Sequence, residues 1–351
     1  MNSIQLKPNQ AIVHLSAHFR LANGTAKTMT FALRLVNIES TVPQEEDACS
    51  WRELDMSDFG AAPQLDWTLK GTAFDATSWK WGLPLLPHLC ESFANVERLP
   101  ALEVCLDRLL SQGKGSVDRS WARHFAQKTD VCLLSRLSNL AANDPAGDSH
   151  LANIRECISE VAPRWVAFAV GFDAQQGQSL NIPMPVPRTL ELVNHVSSQV
   201  KRLQDVLGRE IALTNVSSMF RYSFDTMSET EFWTNLIQAT GAKILFDVPA
   251  YYVSLYHQDL DFESELARFP LDSVASVRVG ALALSNHGAI DAECGRLSVT
   301  HWGLLEDVLH KLPVGEHKAI FLKWFEPLVS SEELVNEIIN GQSTLRRLGE
   351  L

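Results

Sequence analysis

The residue types able to do chemistry recur in this sequence at one kind of place, the ends of short apolar runs rich in β-branched residues. Glu103, Ser135 with Arg136, Ala169, Thr214 with Asn215, Asp247, Arg278 and Lys323 close such runs. His257 and Glu293 lie in the loops after the runs that end at Asp247 and Arg278. If the runs are the parallel strands of a barrel, their ends form one mouth, the face where barrel folds place their chemistry. That mouth holds three carboxylates (Glu103, Asp247 and Glu293) and three cations (Arg136, Arg278 and Lys323). Each residue alone reads as a solvated or structurally paired charge. So many agreeing in register points to one polar pocket.

Other chemistries leave weak traces. His14 and His18 share a face, but two histidines alone make no metal site, and a structural role is expected. There is no G-x-S-x-G elbow and no P-loop. The six cysteines contain no C-x-x-C pair, and several sit inside apolar runs, as buried reduced thiols do. Trp51, Trp67, Trp79 and Trp81 gather near a domain junction, where packing between domains or an aromatic peptide groove would use them.

The elements that must position the mouth alternate regularly. Apolar strand candidates begin near Trp81, Ala101, Val131, Arg164, Glu210, Lys243, Val274 and Lys318, eight in all. Between them lie amphipathic helices: Leu151, Ile154, Ile158 and Val161 form one stripe, and Val193, Val196, Val200, Leu203 and Leu207 another, stopped by Gly208. Ser228 with Glu231, and Ser330 with Glu333, have capping-box spacing. Parallel strands need long crossovers, so strand–helix repetition predicts an α/β fold, a TIM-type (β/α)8 barrel over residues 78–351. A doubly wound open sheet is the alternative, disfavoured because no glycine-rich phosphate turn follows a strand. Residues 1–75 differ. Ala11 to Leu21 and Lys27 to Leu35 read as strands around Asn23-Gly24, a hairpin in a small β-rich N-terminal domain.

Composition narrows the function classes. The 351 residues are 46% hydrophobic and carry 30 basic against 42 acidic side chains, a net charge of -12. That charge repels nucleic acid and anionic membrane. No apolar run approaches the roughly 20 residues of a membrane span, and Met1 to Pro8 lacks the apolar core of a secretory signal. A cytoplasmic protein is expected.

From Trp81 to about Glu333 the chain resembles the multinuclear non-haem iron-dependent oxidative enzymes, the methanobactin-synthase-like barrels. Ile182-Pro183-Met184-Pro185 resembles that family's Leu-Pro-Leu-Pro, and Ile211 through Ser218 its Glu-Asn-Val-Ser strand. Met227 to Phe232 resembles the helix start that follows, Leu245 to Val248 with Tyr252 to Ser254 the Leu-Asp-Val-Asn-Asn segment, and Ile290-Asp291 through Trp302 the last ligand loop. The resemblance implies a TIM-type barrel binding two or three irons and modifying cysteine-containing ribosomal peptides in natural product biosynthesis. It also implies a precursor peptide or a small partner protein.

The ligands that the resemblance implies are mostly replaced. Leu134 or Ser135, Ala169, Arg278, Leu282 and Glu293 stand where the family has histidines, Thr214 at its bridging glutamate, and Pro249-Ala250 at its Asn-Asn pair. Asp247 and His257 remain, and Glu103 matches an acidic position. Two surviving ligands do not hold a multinuclear cluster. Two functions are therefore expected: a catalytically silent barrel, a pseudoenzyme serving as scaffold or peptide-recognition subunit without cofactor, or an enzyme of altered chemistry, metal-free or with one metal at Asp247 and His257. In either, Arg136, Arg278 and Lys323 are expected to fill the former metal space and pair with Glu103, Asp247 or Glu293.

Overall fold

The computed structural model describes residues 10–20, 26–36, 79–96, 99–142, 146–175, 178–285, 288–313, 318–324 and 329–349. The chain divides into two compact units, Met1–Gln64 and Leu65–Leu351. In the first, β1 (Gln10–Arg20) pairs antiparallel with β2 (Ala26–Val36), Gln10 opposite Val36 and Arg20 opposite Ala26. The turn between them, Trp51, Trp67 and the expected boundary at 75–78 lie outside the described residues.

The second unit is a closed barrel of eight parallel strands. In chain order the barrel strands are β3 (Trp79–Pro84), β4 (Ala101–Cys105), β5 (Val131–Ser135), β6 (Trp165–Ala169), β9 (Ala212–Thr214), β10 (Lys243–Asp247), β11 (Val274–Gly280) and β14 (Lys318–Lys323). Each pairs with its sequence neighbour in that series, and β14 closes on β3 with Lys318 beside Trp79. All eight expected strands are present, and the open-sheet alternative is excluded by closure. Two antiparallel hairpins break the repetition: β7 (Phe172–Gln175) with β8 (Gln178–Met184) after β6, and β12 (Leu282–Ser285) with β13 (Gly288–Asp291) after β11.

The surrounding helices are α1 (Cys90–Ala94), α2 (Leu106–Gln112), α3 (Val117–Ala126), α4 (Asp148–Val161) and α5 (Leu190–Leu207). The series continues with α6 (Glu229–Thr240), α7 (Val248–Tyr256), α8 (Phe262–Leu266), α9 (Val299–Lys311) and α10 (Ser331–Gly349). Their ends follow local chemistry. In α4 and α5 the predicted apolar stripes are the buried faces, except that Leu207 is half-buried, and α5 stops at left-handed Gly208. Ser228 and Glu231 form a reciprocal capping box on α6, and Ser330 and Glu333 exchange the same two bonds at 3.0 and 3.2 Å ahead of α10. Trp81 meets Trp302 of α9 edge-to-face at 6.0 Å, so its ring packs within the barrel unit.

The barrel interior is built from small side chains around one large ring. Ala101, Cys132, Ala167, Ala212 and Ala319 leave room for Leu134, Leu245 and Phe321, with Trp165 packed beneath. Phe321 is fully buried and lies over Gly82, where an added Cβ would meet its Cδ1 at 2.2 Å. Overpacking a filled core costs about 1–3 kcal/mol. Gly82→Ala is expected to lose stability on that scale in urea unfolding, and Phe321→Leu in the same chain to recover part of it. A Gly82→Ala protein as stable as wild type would show that the ring is not confined.

Candidate functional site

The site is assembled around Asp247, the last residue of β10 and the N-cap of α7. Its Oδ1 accepts from Ala250 N at 3.0 Å, satisfying a first-turn donor of the helix. Its backbone is fixed from the side: Asp247 N donates to Asn215 Oδ1 at 2.9 Å, and Asn215 Nδ2 donates to Asp247 O at 2.8 Å. The Asn215 amide thus continues the pairing of the short strand β9 by one residue.

The other oxygen of Asp247 receives two cations. Arg278 Nη1 of β11 donates to Oδ2 at 2.7 Å, and Lys323 Nζ, at the end of β14, at 3.2 Å. The same guanidinium meets Glu103 of β4: Nη2 donates to Oε1 at 3.0 Å, and Nε lies 3.0 Å from Oε2 as an ion-pair contact without hydrogen-bond geometry. Lys323 reaches on to Asp291 of β13, and to Glu293 Oε1 at 3.6 Å, and Arg136 closes the rim on Glu293. Asp247, Lys323, Arg278 and Glu103 are 1%, 2%, 3% and 4% exposed, so water screens little of this network.

Four carboxylates therefore meet three cations, one carboxylate more than the sequence reading placed there. Burial pushes the Glu103 and Asp291 carboxyls up, against Arg278 and Lys323 respectively. Burial also opposes charge on Asp247, but Lys323 and Arg278 together outweigh it and hold that carboxyl below its usual range. Arg278 is likewise penalised by burial, and Glu103 and Asp247 more than restore its charge.

The remaining predicted residues divide. Glu103 lies in the middle of β4 rather than at its end, and still reaches the network. Ser135 Oγ donates to Asp107 Oδ1 at 2.6 Å, and the amides of Arg136 and Leu137 donate to Asp107 Oδ2 at 2.7 and 3.2 Å. Asp107, on α2, was missed because it follows a strand end by two residues and reads as an ordinary first-turn acid. Asp291 was missed as a site residue because it sits on a hairpin strand, although the resemblance had already singled out its segment. Thr214 is buried at 3% exposure, and Ala169 contributes a carbonyl that accepts from Ser138 Oγ at 2.6 Å.

A single metal on Asp247 and His257 is corrected by the fold. His257 ends α7 where Asp247 begins it, ten residues apart, or roughly 15 Å of helical rise. His257 Nε2 is bonded to the Ala289 carbonyl at 2.7 Å instead. Nor do the mouth residues fit iron: guanidinium and ammonium groups hold the carboxylates that would be its donors. Among the described residues no three His, Cys, Asp or Glu side chains are placed to share a metal ion.

A second buried charge cluster lies nearby in sequence and was not foreseen. Arg188 pairs with Asp225 and Glu229, each at 3.3 Å, and its amide donates to Asp225 Oδ1 at 2.7 Å. Burial, partly offset by Arg188, pushes the Glu229 carboxyl up to about 7.

A parallel (β/α)8 barrel with a charged mouth defines the structural class. Across residues 80–346 the sequence matches the family of RiPP (ribosomally synthesised, post-translationally modified peptide) precursor modification enzymes MbnB/TglH/ChrH. The chain belongs to that family. It is 27% identical over 163 residues to a UPF0276 protein of Chromobacterium violaceum, a match spanning 46% of this chain and 59% of that one. It is also 27% identical over 226 residues to a UPF0276 protein of Rhizorhabdus wittichii, spanning 64% and 79%. The chain thus spans about three fifths of the C. violaceum relative's length. Among solved structures, a xylose isomerase domain-containing protein of Salmonella typhimurium superposes with a TM-score of 0.51 at 13% identity, covering 78% of this chain and 99% of that one. That likeness shows the fold.

Two outcomes follow. Arg278→Ala orphans Glu103 and leaves Asp247 to Lys323, and should lower stability by about 3 kcal/mol, the scale for breaking a buried pair; an unchanged melting midpoint would show that the network contributes nothing. Glu229 sits at about 7 in the fold against an ordinary 4.5. The folded chain keeps a proton that the unfolded chain releases, so this group's stabilisation is full below about 4.5 and declines up to about 7. Urea midpoints should fall across that window in the wild type and flatten in Glu229→Gln; parallel profiles would assign the slope to other groups.

Proposed function

We propose that this chain is a catalytically silent barrel that recognises a ribosomal precursor peptide, as scaffold or recognition subunit for its modification. The observation that carries this reading is the Arg278 guanidinium, hydrogen-bonded once to Glu103 and once to Asp247, with a further ion-pair contact to Glu103 and with Lys323 beside it. A cation at the centre of a carboxylate ring repels a metal ion and satisfies its would-be donors. Family membership supplies the peptide. The partners are then a precursor peptide or a modifying protein, without nucleic acid, in the cytoplasm. Among the described residues no helix is long and apolar enough to cross a membrane.

One observation favours the alternative, an enzyme of altered chemistry acting on a cysteine-containing peptide. The raised Glu103 and Asp291 carboxyls beside the depressed Asp247 are carboxyl groups driven apart in proton affinity, a pattern that acid–base sites share. A cysteine-containing precursor peptide encoded beside this gene decides between them. With the full-length protein purified after growth in iron, the expected result is saturable peptide binding by fluorescence anisotropy, unchanged peptide mass after incubation with ferrous iron and air, and less than one iron per chain. Two or more irons per chain, or a peptide mass change, would overturn the silent reading, and absence of peptide binding would remove the recognition role.

A further inference from the structure

One well-formed cavity among the described residues lies away from the mouth. It opens at the opposite end of the barrel, about 430 Å³ in volume, lined by the first residues of β6, β9, β10, β11 and β14 and by residues just ahead of β6, β9 and β11. Cavities of this size accommodate small organic ligands. Four cations border it, Arg164, Arg209, Lys243 and Lys318, against two carboxylates, Glu210 and Asp272. This local excess of positive charge stands in a chain whose net charge is -12.

The cavity is built, not merely charged. Arg209 is held by its backbone neighbours, Nη1 donating to Pro163 O at 3.1 Å and Nη2 to Arg164 O at 2.7 Å, which fixes the plane of its guanidinium. Arg164 places its guanidinium carbon 5.2 Å from the centre of the Trp165 ring. Trp165 is wedged edge-on against Phe321 at 6.0 Å, so the indole forms a rigid apolar wall together with Val166, Ile211 and Val274. Lys318 is 9% exposed, and its Nζ donates to Pro313 O at 3.2 Å. Burial draws the Lys318 ammonium and the Arg209 guanidinium below their ordinary proton affinities. Burying positive charge costs free energy that a bound anion would offset.

We infer that the barrel floor is a second binding site, one that takes a small organic anion with a planar apolar body and a carboxylate or phosphate group. The body lies on Trp165 and the aliphatic wall, and the anionic group lies among Arg209, Lys243 and Lys318. The site is independent of the mouth and of the reading given to it.

The test titrates phenyl phosphate and benzoate into the full-length protein at fixed ionic strength by calorimetry, with inorganic phosphate and phenol as half-ligands. Saturable binding of either anion, at least tenfold tighter than both half-ligands, is expected, and the two arms distinguish phosphate from carboxylate. In the variant Arg164→Gln with Lys243→Gln, both changes fall on exposed side chains and bring the cavity's excess charge to zero, and affinity should weaken at least tenfold. The control, Lys114→Gln with Lys201→Gln, removes the same charge from exposed helix and loop positions elsewhere and should bind as wild type does. No saturable binding, or equal loss in both double variants, would overturn the site.

Discussion

The Asp247 carboxylate is shared by three elements at once: one oxygen caps α7, and the other accepts from Arg278 of β11 and Lys323 of β14. A desolvated carboxylate in a barrel is costly unless its lone pairs are filled. Here they are filled by parts of the chain distant in sequence, so the closure of the barrel and the state of its mouth are one problem. Removing any partner leaves a charge with nowhere to go, which makes the network cooperative rather than a set of separable pairs. Asn215 reinforces it by fixing the Asp247 backbone, which sets the point from which the carboxylate reaches its partners.

The site follows from the geometry of its two buried cations. Arg278 delivers five donors in one plane, and three of its nitrogens are engaged by Glu103 and Asp247. A lysine at the same place would supply charge without the fork. Lys323 has the complementary geometry, a flexible ammonium joining Asp247 to Asp291 of the β12–β13 hairpin. The hairpin is thereby fastened to the barrel by charge rather than by strand pairing.

Much of the fold was readable because its signals are local. Most barrel strands are short apolar runs, several rich in β-branched residues, and the helices carry their caps in sequence, as Ser228-Glu231 and Ser330-Glu333 do. The two hairpins were not readable: Phe172–Met184 and Leu282–Asp291 are short and mix polar with apolar residues, and their pairing serves the mouth rather than a core. The same gap hid Asp291. Arg278 and Lys323 were legible as cations at strand ends, but their partners depend on strand register around the closed ring, which places Arg278 beside Asp247 and Gly280 beside Lys323. His257 shows the opposite failure. The family resemblance left it with Asp247 as a surviving ligand pair, and the helix α7 between them sets the two apart.

Strand β14 carries Lys318 at the floor, Phe321 in the middle and Lys323 at the mouth. Six extended residues reach about 17 Å and scarcely compress. The Phe321 ring, set against Gly82 and Trp165, fills the middle of the barrel with apolar surface. The two cations of this one strand therefore stand on opposite sides of an apolar plug, which keeps the charge at the floor apart from the charge at the mouth.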